Sequence, residues 1–428
     1  MRKGPCSHPG TRPRAPARGR VLVQAALATM GTVWLLVPNS LSPYPVAPDL
    51  REPGFMAQAE QGFAHIRNLD YDDAEQIFSR LEVRYPAHPA PPLYRAVVVW
   101  LRELFERAEL DLERFVSPGY FTRPPERPMD PERRQAFEDF IRECQQHARA
   151  VLGRSPGHLD ARYFLSASYG VLAAFTFTID RSYLQALKHG RAAYRDQRAL
   201  VDEDPEYYDA YMSVGLYEYV VASLPWYIKW LAALSGHHGS KQQGVSYLSL
   251  ATEKSQYVAD DARVLLMVIF VRERQYDQAL AVAQRLGAEF PGNYLFHLNQ
   301  AQILERADRP EQAARIYTEI LELAEAERPN YDSIPLATFR YAAGKKLMDL
   351  RDLQGALRQF ERSVQDPRTP ERERALAHLG AGQILDLQGL PEAAMAHYPE
   401  VLRLPDAEGS HRLARRFVKR PYRAAREE

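Results

Sequence analysis

Ala279 and Ala313 lie 34 residues apart, each closing a helix-start signature: Tyr276-Asp277-Gln278-Ala279 and Pro310-Glu311-Gln312-Ala313. A period of this length belongs to stacked helical hairpins, and it constrains the fold more than any other feature of the chain. Take Ala279 as position 20 of the unit. A small residue is then expected at position 8, where the two helices of a hairpin cross closely, and another at 20. An apolar residue is expected at 24, and a proline near 32 ends the second helix. Gly62, Ala74, Phe78 and Pro86 fit this frame. So do Ala301, Ala313 and Tyr317, with Pro329 four residues late. Gly344, Ala356 and Phe360, then Gly382, Ala394 and Tyr398, complete the set, with Pro367 and Pro405 one residue early. Each interval from position 8 to position 20 is 12 residues. From Asp277 onward Ala279, Leu280, Val282, Ala283 and Leu286 keep helical spacing. Such hairpins cannot bury their faces alone, so the pattern predicts neighbours stacked in a nearly one-dimensional solenoid. Enlarging Ala313 should overpack a helix crossing, whereas Ala324, further along the same helix, should tolerate more.

The two ends of the chain differ from the body. Basic and acidic residues balance at 55 each. The first twenty residues, however, carry Arg2, Lys3, Arg12, Arg14, Arg18 and Arg20 and no acid, and 411–428 are also strongly basic. The body between them is therefore acidic, which argues against nucleic acid as a groove ligand. Residues 21–37 are uncharged and largely apolar, and the next charge is Asp49. They read as a transmembrane anchor or a signal segment. The basic flank orients the N-terminus to the cytosol and the repeats across the membrane. Ala26-Leu27-Ala28 lies too early for cleavage, and Pro43 and Pro48 follow the later small residues, so an uncleaved anchor is favoured. A buried core helix is the alternative, against which Pro38, Pro43, Pro45 and Pro48 weigh.

In chain order the divisions are a basic cytosolic tail (1–20), the apolar run (21–37), a Pro-rich tether (38–53), irregular helical repeats (54–257), regular repeats (258–410) and a basic C-terminal capping helix (411–428). Pro91 and Pro92 open a helix expected over about 92–116, with Val97, Trp100, Leu101, Leu104, Phe105 and Ala108 on one face. Residues 117–131 read as a Pro-rich loop, and Asp130-Pro131-Glu132 starts the next helix. In the terminal helix Leu413 pairs with Phe417 and Ala414 with Val418. The expected fold class is all-α throughout.

Signatures of chemistry are few. Cys144 and His147 have C-x-x-H spacing but form only half a metal site. The glycines of 236–244 lack the Gly-Lys-Ser/Thr ending that a phosphate-cradling loop needs, and no strand precedes them. The acid pairs Asp202/Asp204 and Asp260/Asp261 read as helix-start caps suited to the dipole. No catalytic, cofactor or metal residues are assigned, and the chain is read as non-enzymatic.

The repeat register resembles the tetratricopeptide family, specifically over 258–405 and well over 54–87. Residues 215–248 also resemble the inclusion-body clearance family of tetratricopeptide proteins, through Gly215, Ser223, Leu224, Pro225, Lys229, Leu231, Gly236, Gly239, Lys241, Gly244 and Leu248. That likeness extends over about 160–330. The first resemblance implies a tetratricopeptide-type helical-hairpin solenoid whose first-helix positions line a concave face. Those positions include Leu298, Asn299, Gln302, Tyr341, Lys345 and Gln383. Family members that clamp a terminal carboxylate use lysine at position 5; here that position is Val264, Leu298, Tyr341 or Leu379. A mixed apolar and amide groove suits a protein segment. The expected function is a non-enzymatic protein–protein interaction scaffold, tethered to the membrane through 21–37. The expected site is the cell envelope: the inner membrane with the repeats on the periplasmic side, or export if the signal is cleaved. The alternative is a peripheral lipid-contacting module using the 226–234 helix, from Trp226 to Leu234, and the basic tail.

Overall fold

The computed structural model describes residues 52–423, save 118–122, 126, 225–238, 333 and 335. Residues 1–45 form a unit of their own. The tail, the apolar run, most of the tether, Trp226 to Leu234 and the last five residues lie outside the described set. The described residues belong to the unit spanning 46–428.

The chain opens with α1 (Pro53–Arg67), α2 (Tyr71–Arg84), α3 (Ala90–Glu106), α4 (Leu112–Val116), α5 (Pro131–Arg154), α6 (Leu159–Thr178), α7 (Tyr183–Glu203) and α8 (Ala210–Ser223). It continues with α9 (Lys241–Lys254), α10 (Ala259–Arg272), α11 (Tyr276–Glu289), α12 (Tyr294–Arg306), α13 (Pro310–Glu325), α14 (Leu336–Asp349) and α15 (Leu353–Gln365). The last elements are α16 (Glu371–Leu387), α17 (Pro391–Ala394), α18 (Tyr398–Arg403) and α19 (Ser410–Lys419). No strand occurs among the described residues. Most helices pack against the next in sequence, as antiparallel hairpins must when each exposes an apolar stripe.

The crossing points explain the small residues. A methyl group on Gly62 would sit 2.4 Å from the Phe78 ring, one on Gly344 2.9 Å from Phe360, and one on Gly382 2.6 Å from Tyr398. Position 8 is therefore small because position 24 is aromatic and the ring fills the space. In the α10–α11 hairpin the sizes are exchanged: Met267 stands at position 8 and Ala283 at position 24, both buried in one cluster. Ala74, Ala279, Ala313, Ala356 and Ala394, the position-20 residues, are all fully buried. Gly215 and Gly244 meet directly. A Cβ on either would lie within 2.8 Å of the other's carbonyl oxygen, so α8 and α9 touch backbone to backbone.

Several expectations are corrected. The helix expected over about 92–116 breaks after Glu106. Ala108 adopts left-handed backbone (φ 54°), and the Glu109 N–H bonds back to the Leu104 carbonyl, a helix-ending geometry. Asp111 then caps the separate α4. Asp202 and Asp204 stand at the end of α7, where Asp202 accepts from Arg198, so they are not start caps. Asp260 and Asp261 do occupy the first turn of α10. The last repeat's second helix splits into α17 and α18, because Pro399 has no N–H to continue the ladder. Val418 is exposed rather than paired with buried Ala414. Ala324 is as buried as Ala313, under Tyr331 and Ile334, and is no tolerant control.

The stack is also not one-dimensional. Asn68, after α1, accepts from the Gly292 N–H at 3.0 Å, and Asn293 donates to the Arg67 carbonyl at 2.7 Å. Asn330 donates to Asp70 at 2.8 Å. Arg67 lies 3.3 Å from Asp260 and 3.5 Å from Asp261. The first hairpin thus closes onto α10, the α11–α12 turn and the α13–α14 loop.

Gly62→Ala should destabilise the unit by about 1–3 kcal/mol through overpacking against Phe78, and Phe78→Leu should restore part of the loss. Gly153→Ala, at an exposed helix position with open space around it, should instead stabilise by up to about 1 kcal/mol. Thermal melts of the two variants check this; equal shifts would break the assigned register.

Candidate functional site

The concave-face positions divide into two zones. In the first, α4 lies across α10 and α12. Its approach is fixed by Glu109, which is buried and pairs with buried Arg181 at 2.9 Å. Leu112, 1% exposed, joins a cluster with Met267, Val271 and Ile303, and Val116 packs against its edge. Two carboxylates flank that leucine. Asp111 accepts from Gln302 Nε2 at 2.7 Å, and Glu113 accepts a forked pair from Arg306, at 3.0 and 2.6 Å. The guanidinium–carboxylate fork fixes direction as well as charge.

Of the sequence-assigned groove residues, Asn299 and Gln302 are buried here. Two of their acceptors, Asn299 Oδ1 and Gln302 Oε1, have no hydrogen-bond partner. A buried unpaired acceptor costs about 1–3 kcal/mol, and the Gln302 carbonyl, whose amide nitrogen binds Asp111, is one beside α4. Burying Leu112 contributes about 1.5–3 kcal/mol. The Arg306–Glu113 pair, with a third of each side chain exposed, adds about 0–1 kcal/mol. The docking of α4 therefore rests on one buried leucine and one partly exposed ion pair.

In the second zone, Tyr341 and Lys345 lie one turn apart on α14, half-buried and exposed respectively, and Gln383 is half-buried on α16. Leu298 is half-buried on α12 and packs at the edges of two clusters, one with Tyr317 and Phe360 and one with Tyr331. Other first-helix positions are committed to the framework. Glu305 accepts from Tyr317 at 2.7 Å and from Lys346 at 2.8 Å. Asp386 accepts from Tyr398 at 2.6 Å and from the Tyr422 amide at 2.7 Å.

Chemistry-bearing side chains elsewhere are likewise engaged. The Cys144 thiol is buried, which pushes its pKa up, and it points at the Phe164 carbonyl, while His147 approaches the His88 carbonyl. A cavity of about 300 Å³ is lined by Asp160, Asp204, Glu206, Tyr207, Asp209 and Tyr257 among others. Asp209 there is raised by burial, but it accepts the backbone N–H groups of Gln256 and Tyr257 and so holds the approach to α10. Tyr207 donates to Asp160 at 2.8 Å. His378 and His397 face each other at 3.2 Å between Nδ1 atoms; burial and then the second imidazole hold His378 down at about 4. Among the described residues no three His, Cys, Asp or Glu gather to hold a metal ion. No described helix is long and apolar enough to cross a membrane.

Residues 268–330 and 341–409 match the tetratricopeptide repeat family. The match covers α11 to α18 and agrees with the regular repeats. No curated protein matches the chain. Among solved structures, yeast Tom70 is similar at 13% identity and a TM-score of 0.31, over 85% of this chain and 94% of that one. A tetratricopeptide repeat protein from Parabacteroides merdae aligns at 14% identity and 0.28, over 76% and 97%. The apo form of RapI aligns at 11% identity and 0.38, over 85% and 98%.

The α4 seat was not legible in the sequence. Its only local trace is Asp111 followed by Leu112 and a Pro-rich stretch, while its partner Arg306 lies 193 residues away. Leu112→Ala should raise hydrogen exchange throughout 111–116 and shift the global melt little. Ile303→Ala, in the same cluster but within α12, should cost about 2–5 kcal/mol. Equal melting shifts would mean that α4 is integral to the cooperative core.

Proposed function

We propose that the chain is a non-enzymatic scaffold that binds protein segments on the concave face of its repeats. The observation that carries this is α4: the face already holds a short apolar–acidic segment through a buried leucine, a side-chain amide and an arginine fork. Tyr341, Lys345 and Gln383, beyond the reach of α4, are the proposed partner-binding positions. Changing Tyr341 and Lys345 together to alanine should abolish partner recovery; Tyr341 also packs beside Phe360, so exposed Lys345→Ala alone should weaken recovery with the melt unchanged. Arg358→Ala, on the second helix of that hairpin, should alter neither. Undiminished recovery with the double variant would move the site off this face.

The likeness of 160–330 to the inclusion-body clearance family is carried as fold alone; the Gly215–Gly244 contact supports it by giving two of its glycines a physical task. Membrane tethering through 21–37 is part of the same proposal. It rests on the uncharged run behind six basic residues and on Pro43 and Pro48, which follow the small residues Ser42 and Ala47. The scaffold would then stand in the cell envelope with its repeats on the periplasmic side. The mature N-terminus, read by mass spectrometry, should lie before residue 21; a start between Ser40 and Glu52 would make the protein an exported one. A second reading draws on α19, where Arg412, Arg415, Arg416, Lys419 and Arg420 are exposed and Val418 stands among them. Contact of this basic cap with anionic lipid is that alternative.

A further inference from the structure

We infer that the α10–α12 seat is itself a binding site for an apolar–acidic protein segment, with residues 110–116 as its resident occupant. The inference rests on the scaffold reading and names the class of partner. The seat has an apolar floor of Met267, Val271 and Ile303 that takes one leucine. Its rim carries Gln302 and Arg306, which take the carboxylates on either side of that leucine. A basic segment would meet Arg306 with like charge, and a wholly apolar one would leave the guanidinium unpaired, so leucine between two acids is the matching chemistry.

The resident segment does not use all that the seat offers. Asn299 Oδ1 and Gln302 Oε1 are buried acceptors without donors. Asn299 lies one turn before Gln302 on the same helix, and the Gln302 amide is already at the seat through its bond to Asp111. The resident residues are helical, and the Ser117 N–H is spent on the Glu113 carbonyl of that turn. An occupant entering in extended form would present free N–H groups to the Gln302 acceptor, which is the margin by which a partner in trans can outcompete a tethered segment.

The test uses the full chain and a fluorescein-labelled peptide of residues 108–117. Wild type should bind it weakly, because the seat is filled. Asp111→Asn, Leu112→Ser and Glu113→Gln together should empty the seat and tighten binding at least tenfold in fluorescence anisotropy. Adding Arg306→Ala should cut that gain by up to about fivefold. A peptide with its acids changed to lysine should not bind. An emptied chain with a wild-type melt that ignores the peptide, or that binds the lysine peptide equally, overturns the inference. If the emptied chain does not fold, wild type answers alone. Saturating peptide should accelerate hydrogen exchange at 111–116, and unchanged exchange there is the negative result. Failure here leaves the Tyr341–Lys345 experiment standing, because that one reads α14 and not this seat.

Discussion

The amide cluster around Asn68 is the interaction on which the arrangement depends. Asn68, Asn293 and Asn330 join the end of the first hairpin to two turns more than 220 residues away. Each bond is worth only about 0.5–1.5 kcal/mol net. What they fix is geometric. Neutral amides can be buried at a helix-turn junction without the desolvation penalty of a charge, and their two-ended hydrogen bonding sets both distance and register. Arg67 adds charge at the edge, between Asp260 and Asp261 and over the rings of Phe63 and Phe290. With the first hairpin held there, α3 ends beside the inner face of the later repeats, and the chain leaving it delivers α4 to α10 and α12.

The hairpin crossings supply the rigidity that makes such closure possible. A glycine against an aromatic ring at positions 8 and 24 brings two helices together with almost no freedom to slide, since a methyl's worth of space is already filled. The exchange of sizes in α10–α11, with Met267 opposite Ala283, keeps the total volume while moving the bulk to the other helix. That choice has a consequence. Met267 reaches the cluster that receives Leu112, so the hairpin that places its bulk at position 8 supplies part of the floor of the seat.

These two levels differ in how far the sequence discloses them. The crossings repeat at intervals of 12 and 16 residues within one hairpin, so Gly62 with Phe78 or Gly382 with Tyr398 can be recognised from spacing and size alone. The closure joins groups that share no period. Nothing around Asn68 distinguishes it from any turn asparagine, and nothing around Arg306 marks it as the partner of Glu113. For the same reason Asn299 and Gln302 were assignable to the inner face by repeat position, yet the bond from Gln302 to Asp111 was not. The break after Glu106 was missed because α3 and α4 keep one apolar pattern through a left-handed residue, Ala108, that is not glycine. Ala324 was misjudged because its cover, Tyr331 and Ile334, comes from an inter-repeat loop of extra length rather than from a repeat position.

A concave face partly filled by its own chain binds partners under a different rule from an open one. A segment tethered by a short linker acts on its seat at an effective concentration of about millimolar. A resident whose intrinsic dissociation constant is about a tenth of that occupies the seat about nine-tenths of the time, and an outside partner sees its affinity reduced about tenfold. An α4 held in this way would exclude segments lacking the leucine-and-acid pattern and yield to one that pairs the Gln302 acceptor as well. The Glu109–Arg181 pair then has a defined role. Being buried on both sides, it would hold the root of the segment in place, so that a displaced α4 would stay at hand to refill the seat. Selectivity on this face would come from competition between a local segment and a better-paired one, with the uncovered α14–α16 positions free to add contacts that α4 never meets.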